Sequence, residues 1–582
     1  MKTESAASNQ SGQLTSENRS VAEAYLALLK DREIDYFYVG SGTDTASIVE
    51  AYAKSNRAAA EYPAPIIATH ENLAVGMAHG YYMVSGKPQA VMLHVSVGAA
   101  NAVCALMNAA RAQVPMLFTA GRTPLFEQGR LGSRTSEIHW GQEMFDQGAM
   151  LREVVKWDYE LRDGENLEQV VDRALNVSMA HPRGPVYLTL PREVLAQSIP
   201  TQMPGKRSAV PAAPHPDLEA VKALAKVMAK AKHPVIVCSS SGADPATIAP
   251  LVALCERHGI AVAEQRARYT NFPSSHPLHL GFDMKRVFDQ ADVLLFLESE
   301  VPWVPARVEP TAAAFVAHAG TDPIFTRYPI RSHRSDLTIT ATVSALLPAL
   351  DEALRAAGAE AEAEVRTKGL TAVATANRKA VEEAAARDER MGGPITKTFL
   401  SRCLQAVRPA DSLVLSEYSL ERQHVMFDLP GTYFYISSSG GLGWGFPAAL
   451  GAQQAAPDRT VIAVQGDGAY MFANPAVCHH AAAMHSLPVL SVVFNNAAWG
   501  AVSQAALQLY PNDYAARHAA AHGTSPLSSL EPMPDLEKYA EASGGYAERV
   551  VERDQLIPAL ERALKVVRTE KRQALVNVIG QG

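Results

Sequence analysis

Apolar residues come in short unbroken runs along this chain, and stretches with a helical pattern separate one run from the next. A first group comprises YFYVG (36–40), PIIATH (65–70), AVMLHVS (90–96), VPMLFTAG (114–121) and GPVYLTLP (184–191). A second comprises PVIVCSS (234–240), IAVAEQ (260–265), DVLLFLE (292–298) and AFVAHAG (314–320). A third comprises SLVLSE (412–417), TVIAVQG (460–466), PVLSVVFNN (488–496) and ALVNVIG (574–580). Runs that are apolar throughout, rather than at alternate positions, belong to strands buried on both faces, and the helices between them are the crossovers of parallel sheets. The pattern predicts an α/β protein of three doubly wound parallel-sheet domains. Two stretches punctuate it. PTQMPGKRSAVPAAPHPD (200–217) carries five prolines, which break helix and strand alike. RAAGAEAEAEVRTKG, from residue 355, leads into an Ala/Glu-rich helical stretch that stops at MGGP (391–394). The expected boundaries are a disordered tail over 1–17, domains over 18–195, 218–354 and 394–582, a linker over 196–217 and a helical linker over 355–393.

Composition narrows the class. With 582 residues the chain is too long for one core. It is 47% hydrophobic and 19% charged, an ordinary globular balance, and its net charge of −7 gives no nucleic-acid footprint. Cysteines 104, 238, 255, 403 and 478 have neither disulfide nor metal-ligand spacing, which fits a reducing compartment. The polar start has no signal-peptide core, and no apolar run approaches the roughly 20 residues that span a bilayer. A cytoplasmic protein without membrane partners is expected.

Ligands of doubly wound sheets bind at the carboxyl ends of the strands. There the sequence VIAVQGDGAYMF (461–472) sets Asp467 between Gly466 and Gly468. Glycine permits a sharp turn and close approach, and its exposed N–H groups can cradle phosphate oxygens. Asp467 offers a hard oxygen ligand. After 26 further residues, Asn495 and Asn496 end the next apolar run. One carboxylate, one amide oxygen and a backbone carbonyl would leave Mg²⁺ room for phosphate oxygens and water. Alone, the Gly-Asp-Gly reads equally as a tight turn with a capping aspartate; the paired asparagines at a second strand end favour the metal.

These motifs resemble those of thiamine-diphosphate-dependent enzymes of the acetolactate synthase, pyruvate oxidase and benzoylformate decarboxylase group. The resemblance covers nearly the whole chain and implies pyrimidine-binding, middle and diphosphate-binding domains in that order. It implies that Asp467, Asn496 and the carbonyl of Ala498 hold Mg²⁺, and that Gly466, Gly468, Ala469 and Ser419 bind the diphosphate. In SSSGGLGWGFPAALGA (437–452), Leu442 is expected to wedge between the two rings of thiamine diphosphate, with the Gly441 carbonyl facing the pyrimidine amino group. In IIATHENLAVGMAHGYY, Glu71 matches the family glutamate that protonates a pyrimidine nitrogen; without the resemblance it reads as a first-turn helix glutamate. The implied chemistry makes or breaks the carbon–carbon bond next to a carbonyl, usually with loss of CO₂.

VMLHVSVGAANAVCALMNAARAQVPMLFTAGR (91–122) resembles the benzoylformate decarboxylase branch, whose LH phrase carries an active-site histidine, here His94. In the VGSGTD stretch, Thr43 stands where that branch has a serine. The region expected to carry a second histidine, ESEVPWVPARV, has none and offers Trp303. No FAD-binding phrase is recognisable over 218–354, which leaves FAD unsupported but not excluded. His139 and Trp140 read as either substrate entrance or solvated loop. Trp499 reads as a core aromatic or, standing just past the expected metal loop, as a substrate contact, and CHHAAAMH (478–485) as helix-packing histidines. The resemblance therefore implies a 2-keto acid decarboxylase or carboligase whose partners are a small 2-keto acid or aldehyde. Its active sites would lie at the subunit interface of a homodimer or homotetramer. An acetolactate synthase-like or 2-hydroxyacyl-CoA lyase-like enzyme and a non-catalytic cofactor-binding homologue are the alternatives. A nicotinamide dehydrogenase would need a G-x-G-x-x-G after a first strand, which is missing.

Overall fold

The computed structural model describes residues 18–55, 60–201 and 203–581; the tail expected over 1–17 lies outside them. All thirteen strands read from the apolar runs are present, in three parallel sheets. The first sheet has the order Ala64–Ile67, Tyr36–Val39, Ala90–Leu93, Leu117–Arg122, Val186–Pro191, Asp158–Glu160. The middle sheet runs Ala261–Glu264, Pro234–Cys238, Val293–Leu297, Phe315–Gly320, Leu337–Thr340. The third runs Tyr433–Tyr435, Leu413–Glu417, Val461–Gly466, Val489–Asn495, Ala574–Ile579, Tyr546–Val550.

Four strands of these sheets were not legible as apolar runs: Asp158–Glu160, Leu337–Thr340, Tyr433–Tyr435 and Tyr546–Val550. Each is a sheet edge. Central strands such as Val489–Asn495 are buried at every position, whereas Asp158–Glu160 and Tyr546–Val550 keep most positions partly or fully exposed. A further pair, Asn18–Ser20 with Ser198–Pro200, is antiparallel and joins the start of the first unit to the stretch read as a linker. Over 355–393 the chain forms the helix Ala363–Met391. Its buried Arg366 donates to the carbonyls of Ala229, His258 and Ala359, which ties it to the middle unit. No helix among the described residues is long and apolar enough to cross a membrane.

The strand orders create crevices where successive connections leave in opposite directions, and ligands bind there in such sheets. In the first sheet the crevice lies between the ends of Tyr36–Val39 and Ala90–Leu93, beside residues 42–45 and His94. In the third it lies between the ends of Leu413–Glu417 and Val461–Gly466, beside Ser419 and Asp467.

The first and third units share one core through the crossing of helices Glu71–Ser85 and Gly445–Ala455. Small residues make that crossing close. A Cβ on Gly80 would lie 1.8 Å from the Ala448 carbonyl oxygen, and one on Gly451 would lie 1.9 Å from that of Met77. Both helices start at expected site residues: Glu71 opens one, and the other follows the loop carrying Gly441 and Leu442.

Candidate active site

The first half of the site stands at the crevice of the first sheet. Glu71 begins its helix partly exposed, and Asn101 donates to its Oε2 at 2.6 Å. His94 follows the strand Ala90–Leu93. Its Nδ1 lies 2.6 Å from Oδ1 of Asp44, and its Nε2 lies 3.3 Å from Nε2 of Gln142. Asp44 is only 2% exposed, and its second oxygen accepts from the Val95 N–H at 3.3 Å. The hydrogen bond that His94 donates to Asp44 holds the His94 pKa above the ordinary histidine value, against burial. Two glycines leave room for the pair: a Cβ on Gly42 would fall 2.0 Å from His94 Nδ1, and one on Gly121 would fall 1.9 Å from Asp44 Oδ2. Thr43, one residue before Asp44, is exposed, and its hydroxyl makes no hydrogen bond among the described residues.

The second half stands at the crevice of the third sheet. Asp467 is 3% exposed. Its Oδ1 accepts from the Gly468 N–H at 2.7 Å, while Oδ2 is buried without a partner. Burial raises its carboxyl above the ordinary aspartate value, although the N–H groups of Gly468 and of residues 496–498 pull it back. The two asparagines differ. Asn495 is buried, donates to Asn577 and accepts from the Ala497 N–H, so it shapes the turn. The Asn496 side chain is partly exposed and makes no hydrogen bond among the described residues. Ala497 takes φ +51°, and among the described residues the Ala498 carbonyl accepts only from the Gly500 N–H at 2.9 Å. Trp499 lies over Gly468, where a Cβ would meet its ring at 2.2 Å. Ser419 is buried, with its hydroxyl 3.4 Å from where a Gly466 Cβ would be. Gly466 ends the strand, and Gly468 and Ala469 lie in the first turn of the helix Asp467–Phe472.

The loop with Gly441 and Leu442 is held from two sides. Asn108, buried on helix Val103–Arg111, donates to the Gly441 carbonyl at 2.7 Å and accepts from the Gly441 N–H at 3.1 Å. The hydroxyls of Ser437 and Ser439 donate to the same Asn108 oxygen. Glu417 accepts from the N–H groups of Gly443 and Gly445 at 2.9 and 2.6 Å, and burial pushes its carboxyl up to about 7. Leu442 is left partly exposed. Among the described residues no hydrogen bond or ion pair joins Glu71 or His94 to the turns at 466–468 and 496–498.

Residues 19–150 match the model of the thiamine pyrophosphate enzyme N-terminal TPP-binding domain, 221–350 the central domain, and 418–578 the C-terminal TPP-binding domain. The chain belongs to the thiamine pyrophosphate enzyme family. It is 27% identical to benzoylformate decarboxylase of Pseudomonas aeruginosa over 457 residues, 75% of this chain and 80% of the relative. It is 25% identical to the acetolactate synthase large subunit of Corynebacterium glutamicum over 520 residues, 86% and 78% of the two chains. The fold matches the crystal structure of benzoylformate decarboxylase from Polynucleobacter necessarius with a TM-score of 0.77 at 20% identity, covering 97% and 99% of the two chains.

Several side chains of this thiamine pyrophosphate enzyme stand differently from their sequence reading. Trp303 is buried and packs among Phe288, Phe296, His318 and His333 in the middle core. Trp499 is no core aromatic, being only half buried. His139 is buried, accepts from the Thr135 N–H at 3.1 Å and has its pKa lowered by burial; Trp140 beside it is half exposed. In the 478–485 stretch His479 is buried between Tyr470 and Gln573, and no cluster of three metal-ligating side chains exists among the described residues. A cavity of about 640 Å³ occupies the crevice of the middle sheet; Ser240, Arg268, Glu298 and Thr321 line it, and none of the expected site residues does. Sequence reasoning missed Asp44, Asn101, Asn108, Gln142 and Glu417. Only Asp44 left a signal, as the acidic residue that ends VGSGTD.

Proposed function

We propose that this chain is a thiamine-diphosphate- and Mg²⁺-dependent enzyme acting on a small 2-keto acid, by decarboxylation, carboligation or both. The observation that carries the cofactor reading is Asp467: among the described residues its buried Oδ2 accepts no hydrogen bond of ordinary geometry, although the N–H groups of 496–498 lie close enough to favour its charge, and such an oxygen is unfavourable unless a cation meets it. Asp467 Oδ2, the Asn496 amide oxygen and the Ala498 carbonyl would hold Mg²⁺. The N–H groups of Gly466, Gly468 and Ala469 and the Ser419 hydroxyl would bind the diphosphate. Leu442 and the Gly441 carbonyl would seat the rings. When bound, thiamine diphosphate supplies the electron sink for cleaving or forming the bond next to a carbonyl.

The chain's own residues do the rest. Asn101 occupies one oxygen of Glu71 and leaves Oε1 to give and take a proton at the pyrimidine. His94 exchanges a proton at Nε2 with the reacting carbonyl. A benzoylformate decarboxylase-like reaction is supported by His94 in its LH phrase and by the relatives above.

Within one chain the first unit reaches the Gly441 loop through Asn108, but among the described residues no hydrogen bond or ion pair joins Glu71 or His94 to the turns at 466–468 and 496–498; we assign the complete site to a dimer, the first unit of one subunit facing the third unit of its partner, alone or paired into a tetramer. Exposed apolar side chains support this. Leu131, Trp140 and Phe145 lie on the segments that flank Gln142, and Leu509, Tyr514 and Leu527 follow the turn at 496–498. The helices Gly500–Leu509 and Tyr514–His522 bury no residue. Such surfaces mark contacts with another chain. The five unpaired cysteines support a reducing, cytoplasmic compartment.

The test is a panel of 2-keto acids given to protein reconstituted with thiamine diphosphate and Mg²⁺, followed for CO₂ release and for coupled products. CO₂ from at least one aryl or alkyl keto acid is expected. Coupling without free aldehyde would favour a synthase-like reaction. No turnover of any keto acid would overturn the reading.

A further inference from the structure

His94 is gripped at both ring nitrogens by side chains distant in sequence, and the two grips differ in kind. A carboxylate only accepts hydrogen bonds, so Asp44 at 2.6 Å keeps a proton on Nδ1 whatever the charge of the ring. Asp44 cannot turn away, because Val95 donates to its other oxygen from a left-handed backbone, φ +35°, that a β-branched residue adopts only when its surroundings impose it. Gly42 and Gly121 clear the space that the ring and the carboxylate fill.

At Nε2 the partner is an amide, which can donate or accept. In the neutral ring Nε2 carries a lone pair, and the Gln142 amide nitrogen at 3.3 Å donates to it. In the charged ring Nε2 carries a proton and needs an acceptor. Gln142 Oε1 is buried without a partner, so a half-turn of the same amide supplies one. The Ser96 hydroxyl donates to the Gln142 carbonyl at 2.8 Å and anchors its backbone, which leaves only the amide to move.

We propose that Asp44 and Gln142 are the positioning residues of His94: Asp44 confines its proton exchange to Nε2, and Gln142 turns its amide to follow that proton. The proposal rests on the reading of His94 as the group that exchanges a proton with the reacting carbonyl. In the donating step the Nε2–H bond breaks, the proton passes to the substrate atom, and the ring keeps its Nδ1 proton. The groups facing His94 are Asp44 after the strand Tyr36–Val39, Glu71 at its helix start and His139 on Ile138–Gly141. The two carboxylates favour the charged ring, while His139, where charged, opposes it.

Nitrogen NMR on the full-length protein with thiamine diphosphate and Mg²⁺, labelled at histidine and glutamine side-chain nitrogens, tests this without substrate. The His94 and Gln142 signals are assigned by their loss in His94→Gln and Gln142→Met. The neutral ring should be protonated at Nδ1 and bare at Nε2, and the Gln142 amide should shift with the same midpoint as the ring. In Asp44→Asn the midpoint should move to lower pH and the Nδ1–H bias should disappear. A neutral wild-type ring protonated at Nε2, a Gln142 amide that ignores the titration, or an unmoved midpoint in Asp44→Asn would each overturn the proposal. Should Asp44→Asn fail to fold, the wild-type tautomer and the Gln142 signal decide alone. A silent keto-acid panel would reject the substrate reading and leave these readouts unaffected.

Discussion

Asp467 and Glu71 are both carboxylates at the ends of strands, yet the surroundings give them different work. Asp467 is buried with one oxygen unpartnered, so its removal strikes binding. Asp467→Ala should lose thiamine diphosphate and Mg²⁺ together in calorimetry while its circular dichroism stays native; unaltered affinity would contradict the ligand assignment. Glu71 is partly open and oriented by Asn101, so Glu71→Gln should still bind cofactor. Its proton exchange at the thiazolium carbon should slow by orders of magnitude, and unchanged exchange by NMR would remove Glu71 from the chemistry. His94 has a folded pKa raised above 6.5 by Asp44. Its charged form therefore contributes stability in full below 6.5, and the contribution is lost as pH rises through the higher folded value. The stability deficit of His94→Gln should accordingly shrink from acidic to alkaline pH in denaturant titrations. A pH-independent deficit would show that the Asp44 pairing does not favour the charged ring. Asp467 and Asn496 could be read as candidate ligands because a strand end and a turn place each in a short local motif. Asp44, Asn108 and Gln142 could not be read, because they act on residues 50, 333 and 48 positions away, where neither spacing nor periodicity reports a contact.

At the scale of elements, burial on both faces decided what could be read. Strands such as Val293–Leu297 and Val461–Gly466 sit inside their sheets and are apolar throughout. Edge strands such as Leu337–Thr340 bury one position fully and alternate with solvent, so LTIT gave no run to follow. The helix crossing of the first and third units was equally invisible, since glycines in a helical pattern do not say what approaches them. That crossing yields a prediction. Gly80 and Gly451 each face a backbone carbonyl at a distance no Cβ can share. Gly80→Ala and Gly451→Ala should each destabilise the fold by about 1–3 kcal/mol through overpacking, despite the better helix propensity of alanine. Equilibrium denaturation reads the sign directly: a neutral or stabilising effect would mean that the helices separate at no cost. Because Glu71 and the Gly441 loop open from these helices, the same variants should weaken cofactor affinity.

For the whole molecule, the central claim is that one subunit supplies Glu71 and His94 while its partner supplies Asp467, Asn496 and the loop with Leu442. Cofactor bridging the two would bind only the assembled state and so stabilise it by linkage. Mixing Glu71→Gln chains with Asp467→Ala chains under conditions of subunit exchange tests this most directly. Each mixed dimer has one site with both wild-type residues and one with neither. The readout is proton exchange at the thiazolium carbon of added cofactor, which needs no knowledge of the substrate. Fast exchange should return in the mixture although neither variant shows it alone. Mixed chains that exchange subunits and stay slow, or a monomer in light scattering that exchanges fast by itself, would contradict the account.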